Sequence, residues 1–216
     1  MERQELLQTL VDHARRMLSE GLVRGTSGNI SCRLADGQVA ITPTAMDYTT
    51  MQVEDVALVD MTRGAWLHGR APSSELPLHL SVYQARPDVM AVVHTHSTFA
   101  TVLAVTSRAL PAVHYLLAPV GNSVPVAPYA TYGTPELGDA VVRTLGGGGA
   151  VLMQNHGVVT VGVTIEEAYS RAKTVETVAE LYVRALAVGD PIEIPAAEMA
   201  NLRKRMRSYG PTGRLR

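Results

Sequence analysis

Hydrophobic and polar positions change period several times along the chain, and each change marks an element. Between Glu5 and Leu22 the apolar residues Leu7, Leu10, Val11, Ala14, Met17 and Leu18 recur at three- and four-residue steps. That spacing predicts a helix, which Gly21 and Gly25 help to stop. Short runs at Asn29–Arg33, Gln38–Thr42 and Val56–Asp60 predict strands, the first two joined by the turn-prone Ala35-Asp36-Gly37. Leu76–Ala85 reads as a helix, with Pro77 tolerated because it falls in the first turn. Val89–Thr95 is apolar enough for a buried strand, and Ser97 stands where it caps a helix over Thr98–Val105. Thr134 and Pro135 take the N-cap and first positions of a helix that ends before the glycines Gly146–Gly149. Strands follow at Val151–Gln154 and Val158–Val161, and the pair Thr164 and Glu167 forms a capping box opening a long helix to about Val188.

Strands separated by helices predict an α/β layered domain, and the early strand–turn–strand means that the sheet is not purely parallel. The chain of 216 residues suits one domain, and a 46% hydrophobic content is ordinary for a globular protein. A formal net charge of −1 argues against a general nucleic-acid binder. The basic run Arg203, Lys204, Arg205 and Arg207 near the end reads as the solvated face of a terminal helix. One cysteine, Cys32, forms no internal disulfide, in keeping with a reducing compartment. No apolar run approaches the ~20 residues of a membrane span, and the polar start is unlike a signal peptide. The expectation is a cytoplasmic protein with no membrane partner.

Candidate chemistry begins in "AVVHTHST". Side chains alternate faces along a strand, so His94 and His96 point the same way, roughly 7 Å apart. Two imidazoles there suit one metal ion, or simply two polar residues leaving a core strand. In "MQNHGVVTV", His156 lies at a strand–glycine–strand junction. It completes the three-histidine set of an open catalytic Zn²⁺ site, or fills a turn before Gly157. His13, His68, His79 and His114 have no comparable strand-end setting and read as structural or exposed.

Glu75 follows Ser73 and Ser74 where a helix begins. Serine is a favoured N-cap and an early glutamate suits the helix dipole. The same geometry offers hydroxyls and free N–H groups to a phosphate, with a carboxylate alongside. The loop "RGTSGNIS" offers a second anion cradle, with Gly25 and Gly28 permitting a tight turn beside Thr26, Ser27 and Asn29. It is neither a P-loop nor a dinucleotide fingerprint.

The segments "GTSGNIS", "ITPT", "PSSE", "VVHTH", "HYLLAPVGN", "PYATYGT" and "QNHG" resemble, in order and spacing, the class II aldolase/adducin family. Within it they are most similar to the fuculose-phosphate aldolases. The resemblance runs from about Met1 to Tyr209, with residues 200–216 as a tail that covers the active site. It implies a three-layer α/β/α fold with a largely antiparallel central sheet, and a homotetramer with active sites between subunits. It implies Zn²⁺, or another divalent ion, one per subunit, on His94, His96, His156 and Glu75. Glu75 would be the acid/base as well. The phosphate would sit among Gly28, Asn29, Thr44, Ala45, Ser73 and Ser74. Tyr115 would reach into a neighbouring site as a proton donor, and Tyr209 would help cover the substrate. The implied reaction cleaves a ketose 1-phosphate to dihydroxyacetone phosphate and an aldehyde. A Schiff-base route is not expected, since the only lysines are Lys173 in the long helix and Lys204 in the basic tail.

Three positions depart from the family pattern: Ala45 in place of glycine, Asn155 in place of histidine, and Thr95 in place of asparagine. Rival readings on the same fold are a ribulose-phosphate 4-epimerase, a phosphosugar-acid decarboxylase and a non-catalytic adducin-like module. The epimerase branch uses an aspartate a little over twenty residues after its metal pair, whereas this chain has none between Asp88 and Asp139. The module would be expected to lose the ligands that are present here.

Overall fold

A computed structural model describes residues 2–207. Ten strands and six helices alternate as the sequence pattern predicts, with several additions. Helix α1 (Arg3–Ser19) precedes strands β1 (Asn29–Arg33), β2 (Gln38–Ile41), β3 (Ala57–Asp60) and β4 (Trp66–His68). Helix α2 (Leu76–Ala85), strand β5 (Ala91–Thr95) and helix α3 (Thr98–Val105) come next. Three two-residue strands follow: β6 (Leu110–Pro111), β7 (Ser123–Val124) and β8 (Val126–Ala127). The chain continues with α4 (Pro135–Leu145), β9 (Ala150–Met153), β10 (Gly157–Gly162), α5 (Ile165–Leu186) and α6 (Ala196–Arg207).

Eight strands form one sheet in the order β4-β3-β2-β1-β5-β10-β9-β8. Every neighbouring pair is antiparallel except β8–β9, so the sheet is largely antiparallel. Alternation along β1 and β5 sends Ile30, Cys32, Ala91 and Val93 into a core with α1 and the first half of α5. A neighbouring cluster on α3, the second half of α5 and Met199 of α6 includes Leu152 and Val158. The opposite face carries Val39, Val92, Val151, Val159 and Val161 against α2 and α4. Helices on both faces make the α/β/α arrangement. Among the described residues, no helix is long and apolar enough to cross a membrane.

Helix starts vary in how they are capped. Thr164 accepts from the Glu167 N–H as expected, while the Glu167 carboxylate accepts from Val163, one residue beyond a reciprocal box. Ser97 occupies the N-cap of α3 but makes no capping bond. The Glu176 carboxylate on α5 accepts from Phe99 and Ala100 N–H instead, tying α3 to the long helix. At α2 the N-cap position falls to Glu75 rather than to a serine. Ser73 accepts the Glu75 N–H through its hydroxyl, a local turn that aims the carboxylate inward.

Candidate metal centre

Strand register assembles the site. His94 lies opposite Asn29 on β1 and opposite Val159 on β10, at the middle of the sheet. Cross-strand partners share a face, so Asn29 and His94 both look toward α2. The start of α2 lowers Glu75 onto that face, and the β9–β10 turn brings His156 alongside. Gly157 makes the approach possible: a Cβ there would lie 2.4 Å from the Thr95 carbonyl oxygen and 3.2 Å from both strand imidazoles. Asn155 turns the chain just before, at φ +56, a left-handed conformation that asparagine tolerates well.

Glu75, His94, His96 and His156 each offer one ligand atom, and all four atoms lie within 4.8 Å of one another. His94 places Nδ1 3.0 Å from the Val158 carbonyl oxygen, so Nδ1 carries the proton and Nε2 presents its lone pair. That Nε2 is 2.9 Å from Nε2 of His96 and 3.1 Å from Oε2 of Glu75. His156 Nε2 is 3.3 Å from Oε1 of Glu75, an oxygen that is buried without a hydrogen-bond partner. Lone pairs therefore converge with too few donors among them. Such a centre requires a cation, and a nitrogen-rich set with one carboxylate fits a divalent metal.

Electrostatics agree with that reading. Burial pushes the Glu75 carboxyl upward, but the facing His94 and His156 imidazoles and the Asn29 amide outweigh it and hold it well below the usual carboxylate range. His94 is moved the other way: burial disfavours its charged form, yet Glu75 and the Val158 carbonyl raise it. Burial, then repulsion from its neighbours, lowers His96 to about 3 and His156 to about 4. Both imidazoles are thus neutral near pH 7, the state in which they ligate a metal.

A cavity of about 340 Å³ opens above the cluster. Its walls include all the residues expected to hold phosphate: Gly28, Asn29, Thr44, Ala45, Ser73 and Ser74. Gly28 is required sterically, since at φ +76 a Cβ would meet Val23 at 2.4 Å and the His94 carbonyl at 2.8 Å. Ala45, which stands where the family pattern has glycine, adopts φ +51, a left-handed conformation that glycine reaches without strain. Tyr129 and Tyr132 also line the cavity, 63% and 66% exposed. They come from "PYATYGT", a segment in which sequence reading assigned neither tyrosine a role.

Tyr115 is not brought to this cavity within one chain. It sits half exposed in a short 3₁₀ turn, Tyr115–Leu117, stacked on His114 at 4.6 Å. Tyr209 lies outside the described residues. His79, by contrast, is wholly buried one contact away from the cluster, hydrogen-bonded to Asn29. Its place one helical turn after Glu75 can be read from the sequence, but its contact with Asn29 on β1 cannot.

Comparison with known proteins places the chain. The profile described as Class II Aldolase and Adducin N-terminal domain matches residues 8–183. The L-fuculose phosphate aldolase of Escherichia coli (strain K12) is 39% identical over 212 residues, 97% of this chain and 98% of that protein. A 5-deoxy-D-ribulose 1-phosphate aldolase of Bacillus thuringiensis serovar kurstaki is 40% identical over 211 residues, 97% of each. The solved structure of an L-fuculose 1-phosphate aldolase superposes with a TM-score of 0.91 at 35% identity, covering 96% of this chain and 98% of the other. This chain belongs to the class II aldolase and adducin family.

Proposed function

We propose that the protein is a zinc-dependent aldolase that reversibly cleaves a ketose 1-phosphate to dihydroxyacetone phosphate and an aldehyde. Its substrate is L-fuculose 1-phosphate or a 5-deoxy- or 5-methylthio-ribulose 1-phosphate, the classes named for its relatives. The observation that carries this reading is the convergence of four ligand atoms, those of Glu75 and His94 from buried residues, at the floor of a cavity rimmed by hydroxyl and amide donors.

His94, His96, His156 and Glu75 hold the cation, one per subunit. When bound, it acts as a Lewis acid toward negative charge developing on substrate oxygens. Gly28, Asn29, Thr44, Ala45, Ser73 and Ser74 surround the phosphate and bind it through hydroxyls and backbone N–H groups. In cleavage the C4 hydroxyl loses its proton, the C3–C4 bond breaks with its electron pair left on C3, and C3 is then protonated. Glu75 moves the proton at C3. Tyr115 of the partner subunit handles the proton on the C4 oxygen, which accounts for its distance from its own cavity. Tyr209 on the C-terminal tail covers the substrate. The protein works as a cytoplasmic homotetramer.

The test is dihydroxyacetone phosphate release by zinc-loaded protein, with L-fuculose 1-phosphate and 5-deoxyribulose 1-phosphate offered in parallel and a chelated control. Release that vanishes on chelation supports the assignment, and the ratio of kcat/KM defines the aldehyde pocket. No release from either substrate with zinc bound removes the aldolase reading in favour of the epimerase, the decarboxylase or the silent module.

A further inference from the structure

A buried chain of hydrogen bonds leads from Glu75 through Asn29, itself on the cavity wall, into the space between β1 and α2. The Asn29 amide nitrogen donates to Glu75 Oε2 at 2.9 Å, and the Asn29 carbonyl oxygen lies 2.5 Å from Nε2 of His79. Nδ1 of His79 is 2.7 Å from the Ser31 hydroxyl, which is 2.7 Å from the Tyr83 hydroxyl. All four partners of Glu75 in this chain are buried: Asn29, Ser31, His79 and Tyr83. Two periodicities interleave to build it. Glu75, His79 and Tyr83 fall at four-residue steps on one face of α2, while Asn29 and Ser31 fall two apart on one face of β1.

Donor accounting orients every bond. A carboxylate only accepts, so the amide must turn its NH₂ to Glu75 and its carbonyl oxygen to His79. That oxygen also only accepts, so the proton of His79 sits on Nε2. A neutral ring then leaves Nδ1 bare, and Ser31 must donate to it. The Ser31 oxygen in turn accepts from Tyr83. Burial keeps the ring neutral, lowering His79 to about 3. At the far end Arg33 pins Tyr83, its guanidinium 5.0 Å from the ring centroid and bonded to the Tyr83 carbonyl at 2.6 Å.

We infer that His79 is a positioning residue: its Nε2–H locks the Asn29 amide against a flip, and the locked amide fixes the Glu75 carboxylate. A flipped amide would set its oxygen against the carboxylate oxygen and its NH₂ against the Nε2–H, two repulsive pairs in place of two bonds. The lock holds Oε2 beside His94 and leaves Oε1, the oxygen without a hydrogen-bond partner, directed at His156. Because this inference rests on the proposed role of Glu75, its first readout is independent of turnover.

Nitrogen NMR of the ¹⁵N-histidine-labelled protein reads the His79 tautomer directly. Protonation at Nε2 with a bare Nδ1 is expected, and protonation at Nδ1 overturns the lock whatever the enzyme catalyses. The kinetic arm compares His79→Gln, whose amide nitrogen reaches the Nε2 position and still donates, with His79→Leu, which cannot. The leucine variant should lose about 10–100-fold in kcat, as for other groups that orient a ligand, with KM for the ketose phosphate within about twofold. The glutamine variant should recover most of that loss. Equal kcat in the leucine variant and wild type, or equal losses in both variants, overturns the inference. If the leucine variant does not fold, the wild-type tautomer decides. Wild-type protein that releases no dihydroxyacetone phosphate would defeat the proposed function while leaving the tautomer measurement intact.

Discussion

The cavity over Glu75 and the histidines measures about 340 Å³, whereas a cleft on the sheet's other end, beside the glycines Gly147–Gly149, measures about 540 Å³. The larger cleft carries Arg86, Arg171 and Arg203, and at first sight it offers an anion more charge. Most of its donors are nevertheless already paired, and of the buried side-chain atoms among the described residues of the cleft only Arg171 Nε lacks a hydrogen-bond partner. Arg86 donates to both carboxylate oxygens of Asp88 at 2.8 and 2.6 Å, and to the carbonyls of Gly146 and Gly148 at 2.6 and 3.2 Å. Arg171 donates to Glu167 at 2.7 Å and to the Val161 carbonyl at 2.5 Å, and Arg203 to Asn122 at 2.8 Å. The smaller cavity has the reverse character, since its floor gathers acceptors that lack donors. Size therefore does not mark the chemistry; unmet valence does.

The sharpest way to break this contrast is to remove a ligand. His94→Ala should weaken metal binding by more than about 100-fold, beyond the loss expected for an outer-shell change, and abolish turnover with it. Metal analysis of the purified variant alongside the aldolase assay reads both, and full turnover without metal would end the metal-centre argument. Glu75→Gln is subtler. It retains shape but loses the base, so kcat should fall about 10²–10⁴-fold with zinc still bound. Unchanged turnover would strip Glu75 of its assigned role.

Acid should distinguish the two regions in the metal-free protein. His79, His96 and His156 are lowered from 6.5 to about 3, 3 and 4 in the fold. Below pH 6.5 the unfolded chain takes up protons that the fold refuses, so stability declines as pH falls toward 4. Glu75, depressed below its ordinary 4.5, adds a further loss at lower pH still. His94 is raised and works oppositely: its contribution is full below 6.5 and fades as pH rises through its higher value. The three lowered imidazoles outweigh it, for a net loss on the order of a few kcal/mol between pH 7 and 4.5. Urea unfolding of the chelated protein across that range checks this, and a flat profile would mean that the cluster is already charged.

Much of this site could be read along the chain, because its ligands sit at strand ends and a helix start where periodicity breaks. His94 and His96 are two apart at the end of one strand, and His156 precedes a glycine between two strands. The long-range parts were not legible. His79 gains its role only because β1 passes beneath α2, a pairing that no local pattern of α2 contains. The strands β6, β7 and β8 are two residues each, too short for an alternation to register, and exist because neighbours pair with them. The exposed triplet Trp66–His68 of β4 lacks the buried half of an amphipathic strand and was equally silent. Tyr129 and Tyr132 sat inside a quoted motif, yet a loop sequence does not say which of its rings faces the cavity.

The large cleft yields a smaller, complementary prediction. Arg86→Met keeps the aliphatic stem and removes the bonds to the two glycine carbonyls. The pair with Asp88 is 61% exposed on the carboxylate side and contributes little after screening. Most of the expected destabilisation, about 0.5–1.5 kcal/mol, comes from losing the carbonyl hydrogen bonds, since water can reach the exposed Gly146 carbonyl. Denaturant titration should register it, while kcat per folded protein stays within about twofold. A tenfold loss of kcat would mean that the glycine cleft is coupled to the metal centre and that the contrast between the two regions is false.

The smallest effect concerns the rim of the active cavity itself. Ala45 stands at φ +51, where an L-residue's Cβ crowds the following carbonyl and only glycine is at ease. Holding alanine there costs about 1–2 kcal/mol, against which Ala45→Gly recovers less, because glycine also frees the unfolded chain. The net gain should be about 0.5–1 kcal/mol, visible as a rise of roughly 1–4 °C in Tm for a domain of this size. If the Ala45 backbone N–H serves the phosphate as proposed, glycine preserves that N–H and KM for the ketose phosphate should stay within about twofold. A stabilised variant with KM raised tenfold would instead mean that the Ala45 methyl touches substrate, making this departure from the family pattern a determinant of which phosphorylated ketose is accepted.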